Sequence, residues 1–224
     1  MRFYKLNKTV LQFQNNAAEF LNGLTSNSLD KPRNALTDIH GKIIAAFDQI
    51  KVSDEEVWIV VGTPFVDAVL SHLDRYMRLS GVKFQKFNSN VYFDLDGDYP
   101  LKDGETVIPQ KKGNIIISPN AITSSITDEE FTIFRLEHNI PIHGIDFQDE
   151  FLLNIGEDEF VSFTKGCFLG QEPISKVHNR SKPTWKLVVK YDDACSPEEK
   201  SKLTSSAVDP TTKRVRGFVF IKNA

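Results

Sequence analysis

The residues best suited to chemistry surround one of the two cysteines in this 224-residue chain. Cys167 lies between two glycines in the segment 165–173, which reads KGCFLGQEP. Pro173 fits the first turn of a helix, so Cys167 is predicted to lie on a turn just before a helix N-terminus. Unpaired N–H groups and the helix dipole at that end, together with Lys165 and Lys176, favour a thiolate. The alternative is a small buried cysteine without chemistry.

A carboxylate, Glu137, lies near the C-terminal end of a helix predicted over residues 127–138. A negative charge there opposes the helix dipole, so the side chain needs a partner. One reading is a surface salt bridge to Arg135 or to a lysine. The other is a ligand with adjacent N–H donors, such as a pterin ring, because an ionised carboxylate only accepts hydrogen bonds.

Two basic runs occur near the cysteine segment and after it. They comprise Lys176, His178, Arg180, Lys182 and Lys186, and then Lys213, Arg214 and Arg216. A solvated face explains either run alone. A site for a polyanionic tail or for RNA is the alternative, and the position of the two runs around the cysteine segment favours an anion site.

Several common site types have no matching motif. The chain lacks the Cys-x-x-Cys and His-Glu-x-x-His spacings of metal sites, the phosphate-binding and dinucleotide-binding glycine loops, and the serine-hydrolase elbow. His138, His143 and Asp146 are close in sequence, but solvation or helix capping explains them better than a metal. One cysteine alone does not hold an iron–sulfur cluster, because several thiolates normally do so.

Composition sets further bounds. The chain has 27 Lys and Arg against 30 Asp and Glu, a net charge of −3, which makes nucleic acid an unlikely main partner. No apolar run approaches the roughly 20 residues that span a bilayer, and the first residues do not resemble a signal or transit peptide. With two cysteines and no disulfide framework, we expect a cytoplasmic protein that binds no membrane.

Helical and strand-like segments alternate irregularly, which predicts an α+β fold. We expect three parts, an N-terminal α+β domain (1–87), a central α+β domain with the cysteine segment (88–180) and a short C-terminal β segment (181–224). Helices are predicted over 15–22, 64–79 and 127–138, and strands over 42–50, 57–61, 82–87, 91–95, 114–118, 185–191 and 215–221. Strands 82–87 and 91–95 are expected to pair with each other, and Gly23 to cap the first helix with a positive φ.

Three blocks of the sequence resemble the superfamily of the glycine-cleavage T-protein and the YgfZ-type folate-binding proteins. They are residues 20–27 with 36–44, residues 134–141 with 144–146, and residues 165–172. The last block resembles the signature of the YgfZ branch, in which Lys-Gly-Cys is followed by an aromatic residue and then by Gly-Gln-Glu.

The resemblance implies a T-protein-like folate-binding fold with a central channel and a shortened C-terminal β-barrel. It implies that tetrahydrofolate binds in the channel and that iron–sulfur client proteins are the partners, because YgfZ-type proteins assist assembly or repair of iron–sulfur proteins. Glu137 would contact the pterin, and Cys167 would be an activated thiol at the channel mouth. The other expected folate contacts are Lys165, Gln171, Lys176 and Arg180, with Lys182 also within reach of the glutamate tail.

One departure bears on activity. Aminomethyltransferases of this superfamily carry an aspartate in the strand after a Gly-x-Ile-Leu turn, whereas residues 41–46 read GKIIAA here. Alanine neither takes nor gives a proton, so the sequence argues against methylene transfer. The alternatives are a folate-dependent aminomethyltransferase and a scaffold that has lost folate.

Overall fold

The fold consists of three antiparallel sheets and six α-helices in a computed structural model that describes residues 1–223, without the side chains of 157 and 158. The helices are α1 (Ala17–Asn22), α2 (Val66–Ser80), α3 (Asp128–His138), α4 (Glu157–Phe160), α5 (Gln171–Arg180) and α6 (Pro197–Lys200). The strands are β1 (Phe3–Leu6), β2 (Lys8–Gln14), β3 (Arg33–Thr37), β4 (Ile43–Lys51), β5 (Glu56–Gly62), β6 (Lys83–Phe87), β7 (Asn90–Asp94), β8 (Thr106–Pro109), β9 (Asn114–Ser118), β10 (Trp185–Tyr191), β11 (Thr204–Val208) and β12 (Val215–Lys222).

The sheets combine strands that are distant in sequence. Five strands pair in the order β3-β4-β5-β2-β6, and four pair in the order β1-β7-β9-β8. The last three strands form a sheet of order β10-β12-β11. Strand β1 therefore belongs to the second sheet and β2, which follows it directly, to the first. The mixed α and β content predicted from sequence is confirmed.

The longer helices follow their sequence signals. Val66, Val69, Leu73 and Met77 form the buried stripe of α2, and Gly81 ends the helix with φ 75°, a backbone conformation that glycine adopts without steric cost. At α3, the Thr127 hydroxyl accepts from the Glu130 amide while the Glu130 carboxylate accepts from the Thr127 amide. This capping box fixes where α3 begins.

Two local expectations are wrong. Strands β6 and β7 do not pair with each other, because β6 pairs with β2 and β7 with β1 and β9. Gly23 has φ −77° rather than a positive φ, and the left-handed residues at this helix are Asn15 and Asn16 at its start. Short polar asparagine tolerates that conformation better than most residues.

The C-terminal strands do not close into a barrel through the pairings of residues 1–223. Strands β10 and β11 are both edges, each paired with β12 alone. A closed barrel needs strands enough to bring its two edges together, and three strands form only an open sheet. No helix within residues 1–223 is both long and apolar enough to cross a membrane.

Helix α3 lies between two of the apolar clusters that form the core. Phe131 and Phe134 pack in an apolar cluster with residues of β7 and β9, whereas Leu136 packs in another cluster with residues of α5 and of the C-terminal sheet. Arg135 lies between these apolar neighbours and is only 3% exposed. The helix thus carries polar groups into the space between the sheets, where the candidate site lies.

Candidate functional site

A cavity between the two larger sheets and α3 is the candidate site, and we call it the central cavity. Its space, including the opening to solvent, is about 620 Å³. Most of its wall is apolar, with Phe47 from β4, Phe93 from β7 and Phe131 from α3. The remaining lining residues are Leu6, Lys8, Arg33, Ala46, Asp48, Gly62, Gln110, Ile115, Arg135, Ile140, Pro141, Ile142, His143 and Phe147.

Ala46, one of the two alanines in the stretch where the resemblance expects an aspartate, lies in the wall of this cavity. The nearest polar group is the His143 ring, whose Nδ1 accepts from the Ala46 amide at 3.5 Å, the outer limit of a hydrogen bond. Burial lowers the pKa of His143 to about 4, so the ring is neutral at physiological pH, and the attraction of Asp149 opposes this only weakly. An imidazole thus lies beside the backbone where a carboxylate was expected.

The His143 ring is held between two phenylalanines. It stacks on Phe65 with ring centroids 3.8 Å apart and on Phe147 at 5.2 Å. Gly144, with φ 84°, allows this contact, because a Cβ at that position would lie 2.8 Å from the Phe65 ring. The stack fixes the orientation of the imidazole and shields it from water.

Three cationic side chains line the central cavity, and a carboxylate pairs with each. Lys8 pairs with the buried Asp48, and Arg33 pairs with Glu159. Arg135 donates to Asp146 at 2.7 Å, and both side chains are buried. The charges of the cavity wall are therefore balanced by its own neighbours.

The Arg135–Asp146 pair is extended by Ser205, which joins α3 to the C-terminal sheet. Arg135 Nη2 donates to Ser205 Oγ at 2.7 Å, and that hydroxyl donates to Asp146 at 2.5 Å. Ser205 has φ 49° within the irregular pairing of β11 and β12, and this left-handed conformation is uncommon for serine.

Three residues that line the central cavity each keep a buried side-chain nitrogen without a hydrogen-bond partner. These atoms are Gln110 Nε2, Arg135 Nε and His143 Nε2. An unsatisfied buried donor costs on the order of 1–3 kcal/mol. All three atoms are sealed from the open space of the cavity, so a ligand could bind them only after the wall rearranged.

Glu137 lies elsewhere, in what we call the outer hollow. This opening is lined by Glu137 with residues 186–191 of the C-terminal sheet and Arg216. Glu137 Oε1 is 3.6 Å from Arg216 Nη2, and the carboxylate side chain is 43% exposed. The cationic neighbour of Glu137 is therefore Arg216, not Arg135 or a lysine as the salt-bridge reading expected, and Glu137 also keeps a solvent-facing surface.

A third opening, the middle hollow, shares lining residues with both of the others. It shares Pro141 with the central cavity, and it shares Asn139, Lys186 and Leu187 with the outer hollow. Lys182 also lines it. The three spaces lie next to one another along the end of α3.

Cys167 lies where the sequence predicts, in the loop before α5, and it is exposed. Gly170 caps the N-terminus of α5 with φ 85°, and a Cβ there would overlap the Asp38 carbonyl oxygen. Thr37 donates to the Leu169 carbonyl at 2.8 Å, so the loop is held against the end of β3. Cys167 lines none of the three spaces described above.

Lys165 is committed to backbone carbonyls. Its ammonium donates to the oxygens of Asn22 at 2.7 Å, Thr25 at 2.5 Å and Asn27 at 3.3 Å. Burial lowers the pKa of Lys165 to about 8. A cation is favourable at the C-terminal end of a helix such as α1, so Lys165 ties the cysteine loop to that helix. Its role as a folate contact stays a prediction.

The remaining predicted contacts lie on α5. Gln171 is its first residue and is half-buried, whereas Lys176 and Arg180 are exposed. None of the three lines the central cavity, the middle hollow or the outer hollow. His138 and His143 are in contact with different aromatic rings and Asp146 binds Arg135, so these three residues serve separate purposes.

The sequence reasoning missed most residues of the central cavity. Lys8, Arg33 and Gln110 come from three distant segments, and nothing in their local sequence marks them. His143 was noted only as a metal candidate. Its position between the two pieces of the resembling block, 134–141 and 144–146, is the one available signal.

Comparisons with known proteins agree with the fold. No family model matches the chain. A curated protein of Haemophilus influenzae, described as uncharacterized, is 25% identical over 189 residues, which are 73% of this chain and 63% of that protein. The chain thus spans less than two thirds of that relative's length.

Among solved structures, the chain is similar to the glycine cleavage system aminomethyltransferase T from Bartonella henselae. The match has a TM-score of 0.72 at 11% identity and covers 98% of this chain and 78% of the other. Similarity at that identity concerns the fold. Nearly the whole chain therefore has the fold of aminomethyltransferase T.

Proposed function

We propose that this protein binds a reduced folate, tetrahydrofolate, and assists assembly or repair of iron–sulfur proteins in the cytoplasm, as the YgfZ-type proteins it resembles do. The observation that carries the folate proposal is the central cavity within an aminomethyltransferase T fold. Its aromatic wall suits a planar ring.

The three adjacent spaces suit a long ligand. A folate has a ring at one end and a glutamate tail at the other, and we propose that it extends from the central cavity through the middle hollow. Glu137 would accept an N–H group of the ligand from the outer hollow. Lys182 in the middle hollow would face the tail carboxylates. Lys176 and Arg180 on α5 line none of the three spaces, so they would contact only a tail that extends beyond them.

Ala46 argues against aminomethyl transfer. Its methyl group in the cavity wall supplies no proton and stabilises no developing cation. A one-carbon transferase is the second candidate, because the carboxylate of Asp48 lines the same cavity. Lys8 already binds that carboxylate, and the pair would have to open before Asp48 could act on a substrate.

Cys167 is proposed as the reactive group of the iron–sulfur role. The thiol is exposed on a loop that Thr37 and Gly170 hold in place, so it is accessible to a partner protein. The roles open to it are those of a nucleophile, a redox group and a transient cluster contact. The proposal needs only that it be reachable, and the loop provides that.

Calorimetry and thermal unfolding of the full chain with tetrahydrofolate test the folate proposal. Binding to the folded state alone must raise the apparent stability. We expect saturable heat and an upward shift of Tm. The absence of both effects would favour the scaffold alternative. Formation of methylenetetrahydrofolate from tetrahydrofolate and an aminomethylated carrier, lost in Asp48→Asn, would establish the transferase instead.

Gene replacement in the source organism tests the iron–sulfur proposal. We expect a deletion strain to lose activity of enzymes that carry iron–sulfur clusters and to keep that of cluster-free enzymes. Cys195→Ser should restore the lost activities and Cys167→Ser should not. Cys195 is the matched control because it is half-buried, with its thiol donating to the Tyr191 carbonyl. Equal rescue by both variants would remove Cys167 from the mechanism.

A further inference from the structure

We propose that the outer hollow is a docking groove for an extended acidic segment of a partner protein, which pairs with the free edge of β10 as an additional strand. The inference goes beyond the proposed function, because this groove needs no folate to hold a peptide. Its basis is the course of the hollow along an unpaired strand edge and the positive charge beside that edge.

The outer hollow follows the edge of β10 rather than one of its faces. All six residues 186–191 line it, together with Leu136, Glu137 and Asn139 at the end of α3. Successive side chains of a strand point to opposite faces of the sheet. A space that touches six residues in a row therefore runs along the edge of the strand, where the backbone lies.

The backbone groups at this edge have no strand partner within residues 1–223. Strand β10 pairs with β12 alone, and just before β10 the Asn223 amide donates to the Thr184 carbonyl at 2.9 Å. Because hydrogen-bonded pairs alternate along antiparallel strands, the even-numbered residues of β10 direct their backbone groups to β12. Leu187 and Val189 direct theirs to the groove. Such an edge is a template to which an extended peptide adds as a further strand.

The charge beside the groove favours an acidic occupant. The described lining residues include three cations, Lys186, Lys190 and Arg216, and one carboxylate, Glu137. Lys190 and Arg216 already have carboxylate neighbours. Lys186 is exposed, and in the part of the chain that the structure describes it pairs with no carboxylate. Opposite charges that face each other across two strands stabilise the pairing, so Lys186 is available to a carboxylate of the added strand.

The alternation of side chains along β10 predicts the sequence pattern of the occupant. Lys186, Val188 and Lys190 share one face of the sheet. Leu187 and Val189 share the other face and pack in the apolar cluster that includes residues of α5. An antiparallel strand beside β10 is therefore expected to carry carboxylates at positions i and i+4, opposite the two lysines, and apolar residues at i+1 and i+3.

A second copy of this chain fits the edge less well. Two β10 strands paired about Val188 would place Lys186 of each copy opposite Lys190 of the other, and like charges directly opposite each other destabilise a sheet. Lysines on edge strands commonly prevent self-association in this way. The same lysines leave an acidic strand as the matching partner.

The test uses nuclear magnetic resonance of the full chain labelled with 15N, in the absence of folate. The probe is the peptide SEVTVES, blocked at both ends, which has the predicted pattern. Without peptide, the Val188 amide should be protected from hydrogen exchange by β12, whereas the Leu187 and Val189 amides should exchange freely. The peptide should slow the exchange of these two amides and shift their resonances.

Two changes to the probe and the protein examine the pairing. Methylation of the first valine nitrogen of the peptide removes the N–H that faces the Val189 carbonyl, and it should weaken binding about tenfold. Lys186→Glu should weaken SEVTVES by a similar factor of about ten. The peptide SEVTVKS, which places a lysine opposite that position, should recover the loss, and SKVTVES should not.

Lys86→Glu is the matched control. Lys86 is an exposed lysine of β6, which is also an edge strand, but β6 lines none of the three spaces described above. This variant should bind SEVTVES as the wild type does. An equal loss in Lys86→Glu and Lys186→Glu would reduce the interaction to general attraction between charges and overturn the inference.

The other outcomes are equally decisive. If SEVTVES leaves the Leu187 and Val189 amides unchanged, or if the methylated peptide binds as well as the unmodified one, strand addition at β10 is wrong. Protection of these amides that appears without peptide and grows with protein concentration would assign the edge to a second copy instead. None of these results bears on the folate proposal, which is tested with tetrahydrofolate alone.

Discussion

The central cavity and the outer hollow both contain an arginine next to a carboxylate, but the two pairs differ in environment. Arg135 and Asp146 are buried, with side-chain exposures of 4% and 0%, and Ser205 hydrogen-bonds to both. Glu137 and Arg216 are 3.6 Å apart, and the Glu137 side chain is 43% exposed. The buried pair builds the fold around the cavity, whereas the exposed carboxylate remains available to a ligand.

Asp146→Ala is expected to have the largest effect on stability. It leaves the buried Arg135 guanidinium without its anion, and removing one partner of a buried pair typically costs about 3–5 kcal/mol. The free energy of unfolding from urea titration measures this. The comparison variant is Glu137→Ala, which should cost at most about 1 kcal/mol because its pair is partly exposed. Equal losses of stability in the two variants would show that the buried Arg135–Asp146 pair contributes no more than the exposed Glu137–Arg216 pair.

Stability should also fall between pH 6.5 and pH 4 because of His143. The folded pKa is about 4 and the ordinary value is 6.5, so in this range the unfolded chain binds a proton that the folded chain does not. The free energy of unfolding therefore falls as the pH falls, by up to about 1.4 kcal/mol per pH unit from this group. Above pH 6.5 the His143 ring is neutral in both the folded and the unfolded chain, so it does not make the free energy of unfolding depend on pH.

Urea titrations at pH 7, 6 and 5 give the measurement, with His143→Phe as the variant that should flatten the profile. Burial also lowers the pKa of His72, so His72→Phe is needed to subtract that contribution. A wild-type slope that both variants leave intact would show that neither ring is buried as described.

Glu137→Ala sharpens the comparison at the level of binding. If the carboxylate accepts a hydrogen bond from an N–H group of the folate, its loss should weaken the binding of tetrahydrofolate by about 1–3 kcal/mol, as measured by calorimetry. Arg216→Lys is a useful companion because it keeps the charge beside Glu137 but changes the geometry. Unchanged affinity in Glu137→Ala would place the whole folate away from the outer hollow.

The smallest expected effect, in energy, concerns the two thiols. Iodoacetamide at neutral pH should modify Cys167 faster than Cys195, as followed by mass spectrometry of peptides. Cys167 is exposed, whereas burial raises the pKa of Cys195 and keeps its thiol protonated. Cys167→Ser should abolish the fast phase only. Equal slow rates at both cysteines would remove the proposed reactivity.

Much of the local structure follows from sequence, because its causes are local. The capping box at Thr127 places the start of α3, and the strand-like segment 185–191 coincides with β10. The turn at Cys167 and the helix that follows it also agree with the prediction from sequence. Strands β1 and β2 were missed, and their assignment to different sheets follows from pairing with segments more than forty residues away.

What the sequence determined by itself is the longer helices, several of the strands, the loop that carries Cys167 and the family resemblance. What only the tertiary structure decided is the central cavity. Its donors come from the loop after β8, from α3 and from the segment after α3, and the position of His143 beside Ala46 is a contact between residues 97 apart. Such contacts depend on how the sheets pack around α3, and no local pattern of residues encodes them.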